Sequence, residues 1–475
     1  MALLGKRRPT RRRSGVSGLQ GRVEPPRSAA PPVEGDAPVT IERLAHDGRG
    51  VARSASGKTL FVEGALPGER VEVAVHRTRK RFDEGHVRTL LEPSSERVSP
   101  PCPHYGRCGG CDLQHLALAG QRDHKRAVLV DLLAREGIEL AEPPLLLAEP
   151  DTAYRRRARL GVKVDSDGGV HLGFRERHAS RLVDVTACPV LVPRLEALLA
   201  PLRQCLESLE APRLVGHVEL IDSDGGAAVV VRQLRENAGD RSRWQAFGEA
   251  QGVAVGRWLG RENPEFAWLA EAPALHYALP GQAADAPLRL AFAPGDFVQV
   301  NAAVNRCLVA TARAWLAPLA GRRVLDLYAG VGNFSLPLAA DGARVTAIEG
   351  HPAMVARLSD NARDSGLTVA AEQADLGDVA AVTALLAAQA PQAVLLDPPR
   401  DGADAACQAL VARPAPRVVY IACDPATLAR DAARLVHGGY RVVRAAVADM
   451  FVHTSHLESV LLFEHPERQP SSQGA

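Results

Sequence analysis

The chain has 475 residues, 46% of them apolar and only 4% aromatic, with eight cysteines and a formal net charge of +2. That length suggests roughly three domains of about 150 residues each, with cores built mostly from Leu, Val and Ala, and the net charge alone does not point to nucleic acid. No apolar run reaches the roughly 18 residues needed to span a bilayer and the basic N-terminus lacks a secretory signal pattern, so a cytosolic location with no membrane partner is expected, where cysteines serve as metal ligands or catalysts rather than disulfides.

Residues 1–38 hold eight Lys/Arg and three Asp/Glu, a local charge of +5 that leaves −3 for the remainder. Rich in Arg, Pro, Ser and Gly and without periodicity, this stretch reads as a disordered basic tail of the kind that attracts polyanions. Residues 39–93 follow with short alternating runs (Val39-Thr40-Ile41, Gly50 to Arg53, Thr59 to Val62, Arg70 to Val75, Gly85 to Arg88) punctuated by Gly and Pro, which predicts a small β-barrel. Arg77, Arg79, Lys80 and Arg81 form a basic cluster after its longest strand, either an RNA-tracking face or a solvated charge run. On Gly48-Arg49-Gly50-Val51-Ala52 and Val62 to Arg70 this stretch resembles a TRAM domain, an OB-like RNA-binding barrel.

Residues 94–296 read as a mixed α+β central domain. It opens on a Gly/Pro-rich loop with Cys102, Cys108 and Cys111 at Cys-x5-Cys-x2-Cys spacing, and a fourth cysteine, Cys188, lies far downstream. Four converging thiolates suit a tetrahedral zinc or an iron–sulfur cluster, and spacing does not choose between them. Cys205, Cys307 and Cys407 have no such neighbours and read as structural. Leu113 to Leu133 reads as a helix. The strand beginning at Tyr154 places Arg155, Arg157 and Arg159 on one face, as a phosphate-binding row or as one side of a salt-bridged sheet.

Residues 297–466 alternate strand and helix in the manner of a Rossmann-like α/β fold, and 467–475 form a short tail. Arg323 to Tyr328 is a strand, Ala329-Gly330-Val331-Gly332-Asn333-Phe334 a glycine loop, Ser335 to Ala340 a helix, and Arg344 to Glu349 a second strand ending in an acid. Strand, glycine loop, helix and a following acid make a nucleotide-type crevice in which the acid reaches ribose hydroxyls. Asp397-Pro398-Pro399-Arg400 ends a further strand, Val418 to Ala422 is a buried strand that runs out at Cys423, and Glu458 precedes the last one. A thiol at such a strand end lies over the ligand crevice. One thiol and one carboxylate at such a crevice suit chemistry in which a thiolate adds to an electrophilic carbon and a base later removes a proton; Cys423 and Glu458 are the candidates.

The loop Asp326 to Phe334 resembles that of class I S-adenosylmethionine-dependent methyltransferases. Together with Phe297 to Asn301, Leu396 to Arg400, Cys423 to Asp431 and Asp449 to Glu458, the C-terminal region is similar to the RNA uracil-C5 methyltransferase family. That resemblance implies Cys423 as nucleophile, Glu458 as base, and cofactor contacts at Gln299, Tyr328, Asn333, Glu349, Asp375 and Asp397. It further implies the branch that carries barrel, cysteine set and transferase together, acting on a single uridine of 23S rRNA, with a 4Fe–4S cluster on Cys102, Cys108, Cys111 and Cys188; the alternatives are a uracil in tRNA or at another rRNA site, or an inactive iron–sulfur RNA-binding protein. A monomer without an obligatory protein partner is expected.

Overall fold

The computed structural model describes residues 37–149, 151–281 and 287–466; the basic tail up to residue 36 and the segment 467–475, both read as tails, lie outside the described residues. The first sheet has six strands in the order Val39–Thr40, Arg70–Thr78, Phe82–Glu92, Thr59–Glu63, Gly50–Arg53, Arg43–Leu44. Residues 39–44 pair with Arg70–Val71 at one edge and with Gly50–Val51 at the other, so a single continuous segment closes the sheet into the expected barrel. Ile41, Leu60, Val62, Ala65 and Val71 fill it. The hairpin of Arg70–Thr78 and Phe82–Glu92 is longer than its alternation predicts, and it carries Arg77, Arg79, Lys80 and Arg81 out to an exposed end. Buried Glu69 fastens the barrel to the segment after it: its carboxylate accepts from Arg97 Nε at 2.5 Å and Nη2 at 2.8 Å, and from the amides of Leu66 and Ser94.

The second sheet has seven strands in the order Leu182–Asp184, Val170–Arg175, Arg157–Val164, Val215–Ser223, Gly226–Gln233, Ala254–Leu259, Glu265–Trp268. Its one parallel pair, Gly226–Gln233 with Ala254–Leu259, is joined by the helix Ala238–Gln251. Buried Trp244 on that helix and Leu199, Leu202 and Leu206 on the helix Leu199–Ser208 pack on the sheet. Part of the arginine row is salt-bridged: Arg157 Nε donates to Glu219 at 2.9 Å, exposed Arg159 lies 3.9 Å from the same carboxylate, and Arg155 Nε donates to the Arg157 carbonyl at 3.0 Å.

The third sheet has eight strands in the order Val369–Gln373, Arg344–Glu349, Arg323–Leu327, Ala393–Leu396, Arg417–Ala422, Glu458–Glu464, Arg441–Ala448, Leu145–Leu147. The first five run parallel, and Glu458–Glu464 is antiparallel to both of its neighbours. Strands covered on both faces read as unbroken apolar runs, and Val418-Val419-Tyr420-Ile421-Ala422 is one. Val418, Tyr420 and Ala422 enter a core shared with the helices Asp404–Ala412 and Pro425–His437, while Val419 and Ile421 enter the opposite core under the helix Ala302–Leu316.

Residues between the cysteine loop and the second sheet also belong to this unit. Leu145–Leu147 extends the third sheet beside Ala446–Ala448, and Val128, Leu129 and Leu133 of the helix Leu118–Arg135 lie in the core with Leu410 and Leu435. Lys125 on that helix is buried and donates to Asp449 at 2.7 Å and to the Phe451 carbonyl at 2.9 Å. Burying an ammonium group is tolerated only with a partner of this quality.

Candidate active site

In the parallel part of the third sheet the carboxyl ends of the strands share one edge. Glu349 is the last residue of its strand, Asp397 follows Leu396, and Cys423 follows Ala422. The final strand runs the other way and therefore begins at that edge. Glu458 is its first residue, one step further into the sheet than expected from the sequence. Ala422 pairs with Ser459, so the next residue outward on each strand, Cys423 and Glu458, leave the sheet side by side. Cys423 is half-buried and Glu458 fully buried.

The residues directly after the thiol hold it in place. Asp424 caps the helix Pro425–His437, its carboxylate accepting from the Thr427 amide at 2.9 Å, and Pro425 supplies a first-turn φ that suits a helix start. Buried Asp431 in the next turn accepts from Tyr420 Oη at 2.6 Å and from the Ala403 amide at 2.9 Å. One carboxylate thus ties the Cys423 strand, the helix after it and the turn after Asp397 into a single rigid corner.

Acidic groups crowd this corner. Burial pushes the Asp326 carboxyl up to about 7 although Ser335 Oγ donates to it, and its other oxygen, Oδ1, is buried without a partner. Burial, then the charge of Asp326, pushes Asp397 up to about 7. Glu458 is held well above the ordinary carboxylate range by burial and then by Asp397, with Arg400 opposing. The Cys423 thiol rises to about 11 through burial and then the Glu458 charge, with Arg400 again opposing. Each shift has desolvation as its largest cause, so a cation entering the crevice would lower all of them together.

The glycine loop closes the other side. Glu349 accepts from the Gly330 amide at 3.0 Å and the His351 amide at 2.9 Å. Gly332 has φ +102°, and a Cβ there would overlap Leu336, so only glycine lets the loop come this close to its helix. Tyr328 also adopts a left-handed backbone, φ +68°, and its hydroxyl donates to the Leu376 carbonyl at 3.4 Å, beside exposed Asp375. The Asn333 amide is fixed on both sides: its oxygen accepts from Asn305 at 2.8 Å and Tyr277 at 3.1 Å, and its nitrogen donates to Asn305 at 3.0 Å. Tyr277 and Asn305 also line a cleft with Gln299, Phe292 and Arg156, so Asn333 lies beside the cleft that Gln299 lines, while Glu349, Asp397, Cys423 and Glu458 stand at the strand ends. Tyr277 and Asn305 were not singled out in the sequence; only the Asn301-to-Asn305 helical spacing hints at the second.

The four cysteines lie elsewhere, near enough for their charges to influence one another. Burial pushes the Cys111 thiol up to about 12, with Cys188, Cys108 and Cys102 adding to it. Cys188 rises to about 11 through burial and the charges of Cys102 and Cys108. The Gly110 amide donates to Cys108 Sγ at 3.4 Å, and the Gly109 amide to the Arg175 carbonyl at 2.9 Å, which pins the loop to the second sheet. Among the described residues no three His, Cys, Asp or Glu side chains are near enough to hold a metal ion. Cys205 and Cys407 are buried, and Cys307 lies 3.5 Å from Glu149.

Comparison with known proteins gives a consistent set of relatives. The family described as tRNA (Uracil-5-)-methyltransferase matches residues 281–371 and 379–466, and the TRAM domain matches residues 37–87. The chain is 60% identical to the 23S rRNA (uracil(1939)-C(5))-methyltransferase RlmD of Halomonas elongata, over all of this chain and 99% of that one. It is 56% identical to the protein of the same name from Chromohalobacter salexigens, over 97% and 95%. Among solved structures, the Pyrococcus abyssi tRNA (uracil-54, C5)-methyltransferase, determined with S-adenosyl-L-homocysteine, superposes with a TM-score of 0.68 at 23% identity, covering 90% of this chain and all of that one; at that identity the likeness bears on the fold.

The buried carboxyl at Asp326 makes stability depend on pH. Between the ordinary aspartate value of 3.8 and about 7 the unfolded chain releases a proton that the folded chain keeps, so this group's contribution falls as pH rises through that window. Asp326→Asn retains an acceptor for Ser335 and removes the dependence. Its ligand-free Tm above pH 7 is expected to exceed wild type by about 2–4 °C for each 1 kcal/mol recovered, and the wild-type decline in Tm across the window should flatten. Parallel Tm–pH curves for the two proteins would contradict the assignment.

Proposed function

The chain belongs to the family of 23S rRNA (uracil(1939)-C(5))-methyltransferases, and on that premise we propose that it methylates C5 of one uridine in 23S rRNA, the position that its relatives' name gives as 1939, using S-adenosylmethionine. The observation that carries the reading is that Cys423 and Glu458 each stand one residue beyond the Ala422–Ser459 pair of adjacent strands, close enough for the Glu458 charge to act on the thiol. A sulfonium is the kind of cation that such an acidic corner favours. The residues suit that cofactor: Glu349 stands at the end of the second strand of a nucleotide-type crevice, and we assign its further contacts to the glycine loop, Gln299, Tyr328, Asn333, Asp375 and Asp397. When bound, the cofactor supplies an electrophilic methyl group at C5.

The chain's own residues do the rest. Cys423, as thiolate, adds to C6 and drives electrons toward the C4 carbonyl, which makes C5 nucleophilic. Its raised pKa in the ligand-free protein means that the thiolate is scarce until a cation offsets the Glu458 and Asp397 charges. Glu458, ionised, then takes the C5 proton; its burial makes it a stronger base than an exposed carboxylate. Arg400 stands near enough to both groups to favour their ionised forms. A uracil reaching this edge must leave any stack it occupies.

The barrel's exposed basic end supports RNA tracking, and we assign the four thiols to a 4Fe–4S cluster. The all-cysteine donor set is the chemistry such a cluster takes; in this structure, among the described residues, the thiols are not close enough together to hold a metal ion. It would serve to hold the loop, since the reaction has no redox step. The division into barrel (39–93), central domain (94–296) and transferase (297–466) remains our working division, with Leu118–Arg135 and Leu145–Leu147 packing on the transferase. We treat the protein as a monomer.

Cys423→Ala should yield neither methyluridine nor a denaturant-stable protein–RNA adduct. Glu458→Gln should complete addition and methyl transfer and then stall, so that adduct accumulates on a denaturing gel. Methylation by the alanine variant would overturn the nucleophile. For the cluster, anaerobically purified protein should be brown and carry iron and sulfide, and each Cys102, Cys108, Cys111 or Cys188→Ala variant should lose that colour. Colourless protein with stoichiometric zinc would refute the assignment.

A further inference from the structure

Glu458 is delivered by the nine residues 449–457 that join the strands Arg441–Ala448 and Glu458–Glu464. That is a long connection for a hairpin, and its fixed shape is imposed from outside. Lys125 and Arg122 hold its root at Asp449. Tyr154 Oη donates to the Val452 carbonyl at 3.0 Å. Gln121 accepts from the His453 amide at 3.1 Å, where the backbone is left-handed with φ +67°.

The limb that descends to Glu458 is held by one residue of the cysteine loop. Asp112, immediately after Cys111, donates its amide to the His453 carbonyl at 2.9 Å, as does Leu113. Its carboxylate Oδ2 accepts from Ser455 Oγ at 3.2 Å and from the Ser455 amide at 3.4 Å, three residues before Glu458. Its Oδ1 accepts at 3.1 Å from Arg177, whose same nitrogen donates to the Cys111 carbonyl at 2.6 Å. Tyr105 Oη donates to the Asp112 carbonyl at 2.5 Å. The amide and Oδ2 of Asp112 thus join the cysteine loop to the turn ahead of the base, while Arg177 and Tyr105 hold its Oδ1 and carbonyl from the cysteine-loop side. Cys423 is positioned by a separate set of contacts, Asp424 on Thr427 and Asp431 on Tyr420 and Ala403, none of which involves 449–457.

We infer that Asp112 is a positioning residue for Glu458, fixing the turn that carries the base while leaving the nucleophile to its own supports. The inference rests on the proposed roles of Cys423 and Glu458. It gives the cysteine loop a place in the reaction cycle: release of the product. In that step Glu458 takes the C5 proton, the C5–H electron pair becomes the C5=C6 double bond, the C6–S bond breaks, and its pair returns to Cys423 as thiolate. Loosening the turn should slow this step and spare the addition and methyl transfer before it.

The test uses the full-length protein, a transcript of the 23S rRNA segment that contains the target uridine, and S-adenosylmethionine. Asp112→Ala removes the carboxylate; Ser455→Ala removes one donor and leaves the cysteine loop's own contacts intact. In both variants a single-turnover burst of methyl incorporation should persist while release slows by about tenfold, a part of the roughly hundred- to ten-thousand-fold that a positioned general base supplies, so denaturant-stable adduct accumulates. Amide hydrogen exchange of residues 453–459 in the ligand-free variants should speed up, with the strand Arg417–Ala422 unchanged. A proportional fall of adduct and product, or unchanged release and exchange in both variants, overturns the inference. Glu458→Gln run beside them separates the two readings: if it fails to trap adduct, the base assignment is at fault and not the clamp.

Discussion

The reversal of one strand makes the site. Five parallel strands deliver their carboxyl ends to a common edge, and a sixth parallel strand would begin at the opposite edge and carry Glu458 away from Cys423. Because Glu458–Glu464 is inserted antiparallel between Arg417–Ala422 and Arg441–Ala448, its first residue meets the crevice where the others end. Two side chains 35 positions apart in sequence become cross-strand neighbours through backbone hydrogen bonds, which tolerate little drift in register. The corner around Asp431 and the anchored turn 449–457 then fix the direction of each group.

The same corner carries an electrostatic constraint. Asp326 and Glu458 are buried with half-buried Asp397 beside them; burial drives their carboxyls toward the protonated form, and burial first, then the Glu458 and Asp397 charges, discourage the Cys423 thiolate. A protein that only needed a stable fold would not gather them there, since buried acids without cationic partners weaken the folded state near neutral pH. On the proposed function, a cationic ligand would ease this conflict by favouring the carboxylates and the Cys423 thiolate together. Perturbed groups collected at one sheet edge are the physical mark of a working site.

Much of this arrangement was legible in the sequence because the relevant residues sit next to strongly patterned elements. Val418 to Ala422 is apolar throughout, so the strand and the position of Cys423 at its end follow directly; the glycine loop and Glu349 follow in the same way. The barrel was legible from alternation, though not its closure by residues 39–44, because two-residue strands carry no period. What could not be read are couplings across long separations. The Lys125–Asp449 pair spans 324 positions, and Leu145–Leu147 reads as a stray apolar triplet until it is seen beside Ala446–Ala448. Val369–Gln373 and Arg441–Ala448 were passed over because one is a polar edge strand and the other ends in an Ala-rich run closer to helical composition. The arginine row at 155–159 left two readings open; Glu219, far away in sequence, pairs Arg157, while Arg159 stays exposed.

The most direct measurement is to incubate the protein with S-adenosylmethionine and the rRNA segment in which the target uridine is replaced by 5-fluorouridine, then denature and digest. Fluorine at C5 cannot leave as a proton, so the account predicts a denaturant-stable complex with mass equal to protein, RNA and one methyl group, the RNA being attached to the peptide that contains Cys423. Methylation without a trapped complex, or attachment at any other residue, would contradict it.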